Sequence, residues 1–153
     1  MGNGIRKRNA IALYTDGSCM NKPGRLGGWA AVIVHPKGGV RTVTGVAYHT
    51  TSNRMELTAV IEGIRSIGKT KKSICVYSDS MYVVKAMSDG WIENWERAGW
   101  LRANGSPVKN KDLWEQLLQV TDGLKIRFVH VKGHSGDTFN ELADDLARSA
   151  YRN

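Results

Sequence analysis

The chain has 153 residues, 41% of them hydrophobic and 24% charged, with no low-complexity tract. That is the size and composition of one folded domain with a sizeable core, and it excludes disorder except at the ends. The net charge of +8 favours a polyanionic partner, because Lys and Arg displace the counterions of a phosphate backbone; no apolar run approaches the ~20 residues that span a bilayer.

Met1 to Arg8 is polar and basic and lacks the apolar core of a signal peptide. Residues 1–9 are therefore expected to be a flexible basic tail on a single domain covering 1–153. Cys19 and Cys75 belong to no C-x-x-C pair, which argues against zinc and against a disulfide, and for reduced thiols in a cytoplasmic protein.

Ile11, Leu13 and Thr15 alternate with Ala12, Tyr14 and Asp16. This predicts a largely buried strand over 10–16, ended by Gly17. Asn21 to Gly24 is turn chemistry. Trp29 to Val34 and Val40 to Ala47 read as two further strands around a Gly38-Gly39 turn, and connections this short imply antiparallel hairpins. From about Asn53, Leu57, Val60, Ile61, Ile64 and Ile67 recur at helical spacing up to Gly68. Ile74 to Tyr77 is a short buried strand ending at Asp79, and Tyr82 to Met87 is helical. Between Trp91 and Lys111, three tryptophans (Trp91, Trp95, Trp100) lie among Arg97, Arg102, Lys109 and Lys111, with a loop at Asn104 to Pro107. Trp114, Leu117 and Leu118 mark another helix, Leu124 to Val131 a strand, and 132–136 a Gly-rich loop. Leu142, Ala143, Leu146, Ala147 and Ala150 form a final amphipathic helix, near whose start Asp144 falls. Hairpins first, then alternating strands and helices, predict a mixed sheet with helices packed on it.

Two strands end in an aspartate beside small residues, Thr15-Asp16-Gly17-Ser18 and Ser78-Asp79-Ser80. If these strands are parallel neighbours, both carboxylates sit at the carboxyl edge, where open α/β sheets bind ligands. Glu56 and Asp144 open two helices and could join them. Taken singly, such an aspartate is also an ordinary turn former or helix cap. Grouped carboxylates repel unless a hard cation neutralises them. Two magnesium ions about 4 Å apart can bind the attacking and leaving oxygens of a phosphodiester displacement.

Thr15 to Ser18, Asn53 to Leu57, Ser78 to Ser80, Val131 to His134 and Asp144 to Ala147 occur in this order along most of the chain. In this the sequence resembles the type 1 ribonuclease H family in its bacterial form. The resemblance implies an α/β fold of three layers, a five-stranded mixed sheet with helices on both faces. It implies an endonuclease that cuts the RNA strand of RNA–DNA hybrids by two-metal-ion hydrolysis, leaving 5′-phosphate and 3′-hydroxyl ends. It implies magnesium, replaceable by manganese, held by Asp16, Glu56, Asp79 and Asp144, with His134 aiding water activation, proton transfer or product release. Asp144 is chosen over Asp145 by its match to the family's motif; adjacent helical residues point about 100° apart, so only one of the two should face the site. Substrate contacts implied in the same way are Cys19, Ser52 and Asn53 in the groove, Thr51 with Arg54 at a DNA phosphate pocket, Lys109 and Asn110 on a backbone, and Trp91 and Trp95 in a basic protrusion. Lys22 stands where many relatives carry asparagine, and Met81 replaces a polar groove residue. Glu93 and Glu96 dilute the protrusion's charge, which predicts weaker hybrid affinity or more reliance on Lys22, Arg6, Lys7 and Arg8. The expected role is removal of RNA primers and stray hybrids during DNA replication, by a monomer. A non-catalytic binding module would have lost a carboxylate, and none is lost. Junction resolvases and transposase cores of the same superfold lack the tryptophan-rich protrusion and the Lys-Gly-His loop.

Overall fold

The computed structural model describes residues 9–22, 24–132 and 137–152. His134 and the tail residues Arg6, Lys7 and Arg8 lie outside the described residues. Strands β1 (Ile11–Cys19), β2 (Gly27–Val34) and β3 (Val40–Ala47) come first. Helix α1 (Ser52–Ile67), strand β4 (Ser73–Ser78), helices α2 (Met81–Ser88), α3 (Trp91–Arg97) and α4 (Lys111–Thr121), strand β5 (Lys125–His130) and helix α5 (Thr138–Ala150) follow.

The strands form one sheet in the order β3-β2-β1-β4-β5. β1 pairs antiparallel with β2 and β2 with β3, as the short connections require. β4 runs parallel to β1, and β5 parallel to β4. The β1–β4 register sets Thr15 opposite Ser78, so Asp16 and Asp79 come level at the carboxyl edge.

The alternation in β1 divides the core between the two faces. Ile11 and Leu13 pack with Leu57, Val60, Ile61 and Ile64 of α1 and with Trp114 and Leu117 of α4. Ala12 and Tyr14 face the other way, with Val32, Cys75, Tyr77 and Ala143 of α5. The result is the expected three layers. Among the described residues no helix is long and apolar enough to cross a membrane.

Three local readings change. β1 does not stop at Gly17: Gly17, Ser18 and Cys19 stay extended, paired with Trp29, Gly28 and Gly27. The tryptophan-rich segment contains a helix, α3, entered through Gly90 at φ 77, where glycine adopts the left-handed backbone without strain. Asp144 is not near a helix start. α5 begins at Thr138, where the Asp137 side chain accepts from the amides of Phe139 and Asn140, and Asp144 lies almost two turns further on. Phe139, tilted against Tyr14 at 5.5 Å between ring centroids, carries the apolar face of α5 back to that cap.

Helix α5 reaches the sheet because β2 carries no side chain where they meet. A Cβ at Gly28 would lie 2.2 Å from the carbonyl oxygen of Ala147, a backbone atom that cannot step aside locally. Gly28→Ala is expected to destabilise the protein by about 1–3 kcal/mol, the usual cost of overpacking, and to shift Asp144 away from the sheet; urea unfolding and hybrid cleavage, measured together, check both effects.

Candidate active site

The carboxyl edge of the sheet is shaped by local hydrogen bonds and a close helix approach. Ser78 Oγ accepts from the Ser80 amide at 3.0 Å, and Ser80 Oγ caps α2 by accepting from the Val83 amide at 3.3 Å. These bonds shape the turn that presents Asp79. The start of α1 lies against β1 at Gly17, where a Cβ would stand 2.4 Å from the Glu56 amide nitrogen. The missing side chain lets Glu56 approach Asp16.

Asp16, Glu56 and Asp79 each offer a carboxylate oxygen, and these oxygens lie within 4.8 Å of one another. Asp16 is buried, at 6% exposure. Its pKa is pushed up to about 8, first by burial, then by the charge of Asp79 and by a hydrogen bond with Asp144. Burial, followed by the charges of Asp16 and Asp79, holds Glu56 well above the usual carboxylate range. Asp79 is raised as well, chiefly by burial. Oε1 of Glu56 and Oδ1 of Asp79 are buried without a hydrogen-bond partner, an arrangement that costs free energy unless a ligand completes it. Hard oxygen donors, clustered and unsatisfied, suit a divalent cation of the magnesium class. Asp144 reaches the cluster from α5 through its contact with Asp16, while Arg148, one turn on, binds it at 2.8 Å and Asp145 at 3.3 Å. The Asp145 side chain is 73% exposed against 23% for Asp144, so Asp144 is the one turned inward.

The residues expected to meet substrate are distributed around this edge. Cys19 Sγ donates weakly to the carbonyl of Thr50 at 3.5 Å. Thr51 caps α1, its Oγ1 accepting from the Arg54 amide at 3.2 Å, and Ser52 and Asn53 are exposed in the first turn. Lys22 and Thr51 line one hollow of about 580 Å³ together with Arg25 and His49. The sequence reading missed Arg25 and His49. Their one local signature is a left-handed backbone at φ 32 and 51, clamped by His49 N donating to Gly24 O at 2.9 Å and Thr50 N to Arg25 O at 3.1 Å. Arg54 lies along the surface, where it makes a two-pronged ion pair with Asp112 at 2.7 and 3.0 Å and reaches Asn110 Oδ1 at 3.3 Å. Lys109 is exposed beside Asn110. Trp91 and Trp95 are half-buried, 6.0 Å apart between ring centroids, and Trp95 stands 5.5 Å from the fully buried Trp114. Both therefore pack on the core before they can meet any ligand. Met81 is 45% exposed at the start of α2.

A mixed sheet in this order, with buried acidic groups at its carboxyl edge, defines the ribonuclease H-like class of fold. The RNase H family model matches residues 8–152. The ribonuclease H of Thermoanaerobacter sp. strain X514 is 42% identical over 147 residues, covering 96% of this chain and 91% of that protein. That of Thermus thermophilus is 45% identical over 144 residues, covering 92% and 83%. Among solved structures, LC9-RNase H1, described as a type 1 RNase H with the type 2 active-site motif, superposes with a TM-score of 0.82 at 31% identity, covering 96% of this chain and 74% of that one. LC11-RNase H1, solved in complex with an RNA/DNA hybrid, gives 0.69 at 22% identity over 93% and 96% and bears on the fold alone. The chain belongs to the ribonuclease H family, and is a hydrolase and a nuclease.

The raised carboxyl pKa values give stability a definite pH dependence. Between the ordinary value of 3.8 and about 8, folded Asp16 keeps a proton that the unfolded chain has released. The native state binds more protons there, so metal-free stability falls as pH rises through that window. Asp16→Asn removes the buried charge and is expected to stabilise the metal-free protein at pH 8 by about 1–3 kcal/mol, seen as a higher Tm, with the gain shrinking towards pH 4. A lower Tm for the variant at pH 8 would contradict this.

Proposed function

We propose that this protein is an endonuclease that hydrolyses the RNA strand of RNA–DNA hybrids, leaving 5′-phosphate and 3′-hydroxyl ends, with two magnesium ions as cofactor and manganese as a possible substitute. The observation that carries the reading is the set of mutually close carboxylates of buried Asp16 and partly buried Glu56 and Asp79, two of whose oxygens lack partners, in a chain of this family.

In this reading Asp16, Glu56, Asp79 and Asp144 hold the metal ions. Such ions, when bound, neutralise charge developing on the phosphate and activate a water. The chain supplies the rest. The pairing of Asp16 within β1 and the turn that presents Asp79 after β4 fix these ligands before substrate arrives, so little reorganisation is needed during reaction. Arg148 holds Asp144 beside Asp16. His134 is assigned proton transfer or product release on the family resemblance alone.

Cys19, Ser52 and Asn53 line the groove for the hybrid, whose RNA strand offers 2′-hydroxyls in a wide, shallow minor groove. Lys22 and Thr51 face a backbone phosphate from the basic hollow, Lys109 and Asn110 contact the backbone, and Trp91 and Trp95 form the apolar wall of the protrusion. Arg54 stands behind Asn110. A pure DNA duplex lacks the hydroxyls, and a pure RNA duplex does not suit a deoxy-specific phosphate pocket. We also read 1–153 as one domain with a basic tail at 1–9, acting as a cytoplasmic monomer in primer and hybrid removal during replication, without zinc.

The test is cleavage of a labelled RNA–DNA hybrid with magnesium, beside the same reaction with EDTA and with Asp16→Asn. RNA-strand cutting is expected, lost with EDTA and reduced more than about 100-fold in the variant, since the metal site carries several kcal/mol of the barrier. His134→Ala is expected to lower kcat by less than Asp16→Asn. Tight binding without cutting, or cutting of DNA junctions instead, would overturn the reading.

A further inference from the structure

The side chains behind the protrusion form a chain of hydrogen bonds whose directions are dictated by chemistry. Arg54 carries only donors, and Trp114 Nε1 is a donor only. Arg54 Nη1 stands 3.3 Å from Asn110 Oδ1, Asn110 Nδ2 stands 3.2 Å from the hydroxyl of Tyr82, and Trp114 Nε1 stands 3.2 Å from that same hydroxyl. The oxygen of Asn110 must face Arg54, so its amide nitrogen faces Tyr82. The Tyr82 oxygen then accepts from both Asn110 and Trp114, which uses its two lone pairs. One N–H of Asn110 and the O–H of Tyr82 remain to donate elsewhere.

Each end of this chain has a further partner. Trp114 is fully buried and packs on the Tyr82 ring at 5.3 Å between centroids. Arg54 is pinned by both oxygens of Asp112, which raises the guanidinium's pKa and lowers the carboxylate's. Asn110 itself sits in the left-handed region at φ 63 and makes no side-chain cap to α4. Asparagine is one of the few non-glycine residues that adopts this region readily, and its side chain, not used as a cap, is free to join the chain of hydrogen bonds.

We propose that Arg54 and Tyr82 are positioning residues that lock the Asn110 amide in the single orientation presenting an N–H, and not the carbonyl oxygen, to a backbone phosphate of the substrate. A free asparagine amide could turn its oxygen towards the phosphate and repel it; the Arg54 guanidinium removes that state by engaging the oxygen. Because Arg54 belongs to the helix that carries Glu56, and Asn110 follows the protrusion, the same lock ties substrate contact at the protrusion to the catalytic helix. Arg54 thus acts on the phosphate through Asn110, not by direct contact. This rests on the hybrid-cleaving reading for the identity of the phosphate.

The test is a double-mutant cycle in KM for a hybrid substrate, using Arg54→Gln, Tyr82→Phe and Asn110→Ala. Each single change is expected to raise KM by about 2–10-fold with kcat within about twofold, the size of one lost hydrogen bond. The doubles Arg54→Gln/Asn110→Ala and Tyr82→Phe/Asn110→Ala are expected to be no worse than Asn110→Ala alone. Independent, multiplicative effects would overturn the proposal, as would a fall in kcat at constant KM. Tyr82→Phe keeps the ring and serves if Arg54→Gln does not fold. A second readout needs no activity: in the nitrogen-15 spectrum of the wild-type protein the Asn110 side-chain amide should be locked, with slow exchange that Tyr82→Phe abolishes. A mobile Asn110 amide in the wild type refutes the lock, whereas a locked amide in a protein that neither binds nor cuts hybrids refutes the functional reading and leaves the lock standing.

Discussion

Mutual repulsion among carboxylates is the constraint on which the catalytic edge depends. Asp16, Glu56 and Asp79 are brought within 4.8 Å of one another in a setting where burial already penalises charge. In water such groups would separate or stay solvated; here two parallel strands and the first turns of a packed helix prevent it. Burial and mutual charge therefore raise the pKa of all three groups in the folded state. A site that opposes its own charge is one suited to a cation, whose binding would offset the cost of forcing the acids together.

What permits that approach is the removal of atoms elsewhere. Gly17 lets the start of α1 touch β1, and Gly28 lets α5 lie on β2. Each contact sets the depth of one carboxylate, Glu56 in the first case and Asp144 in the second. The two hydrophobic clusters on opposite faces of the sheet then hold both helices against the repulsion they carry. Core packing and the carboxylate cluster are linked through these two glycines, so a change in either is felt at the cluster.

Much of this was legible in the sequence, for identifiable reasons. The alternation of β1, the helical stripe of α1 and the short hairpin connections are local patterns, and the strands and helices they predicted are present. The adjacency of Asp16 and Asp79 follows once β1 and β4 are parallel, but pairing partners are not written in spacing; the family resemblance supplied them. Other features depend on tertiary contacts. Gly17 read as a strand end because glycine is usually a stop, whereas here it is a site of close approach within the strand. The true start of α5 escapes a stripe read from Leu142, although Phe139 three residues earlier already belongs to it, and the cap is the side chain of Asp137. The Arg54–Asp112 pair joins residues 58 positions apart, and the hollow containing Arg25 and His49 forms where two loops are clamped together; no periodicity signals either. Likewise the tryptophans showed their aromatic character in the sequence, but only packing shows that Trp95 leans on Trp114.

The most direct test of the central claim is calorimetric titration of the protein with magnesium near pH 7 in two buffers of different ionisation enthalpy. If the carboxylates are held together against their charge, cation binding must displace protons from them, and the observed heat will differ between buffers by an amount that reports net proton release, diminished in Asp16→Asn. Heats that agree in the two buffers, or binding that Asp16→Asn leaves unchanged, would show that these acids are not the cation's ligands and that their clustering has another cause.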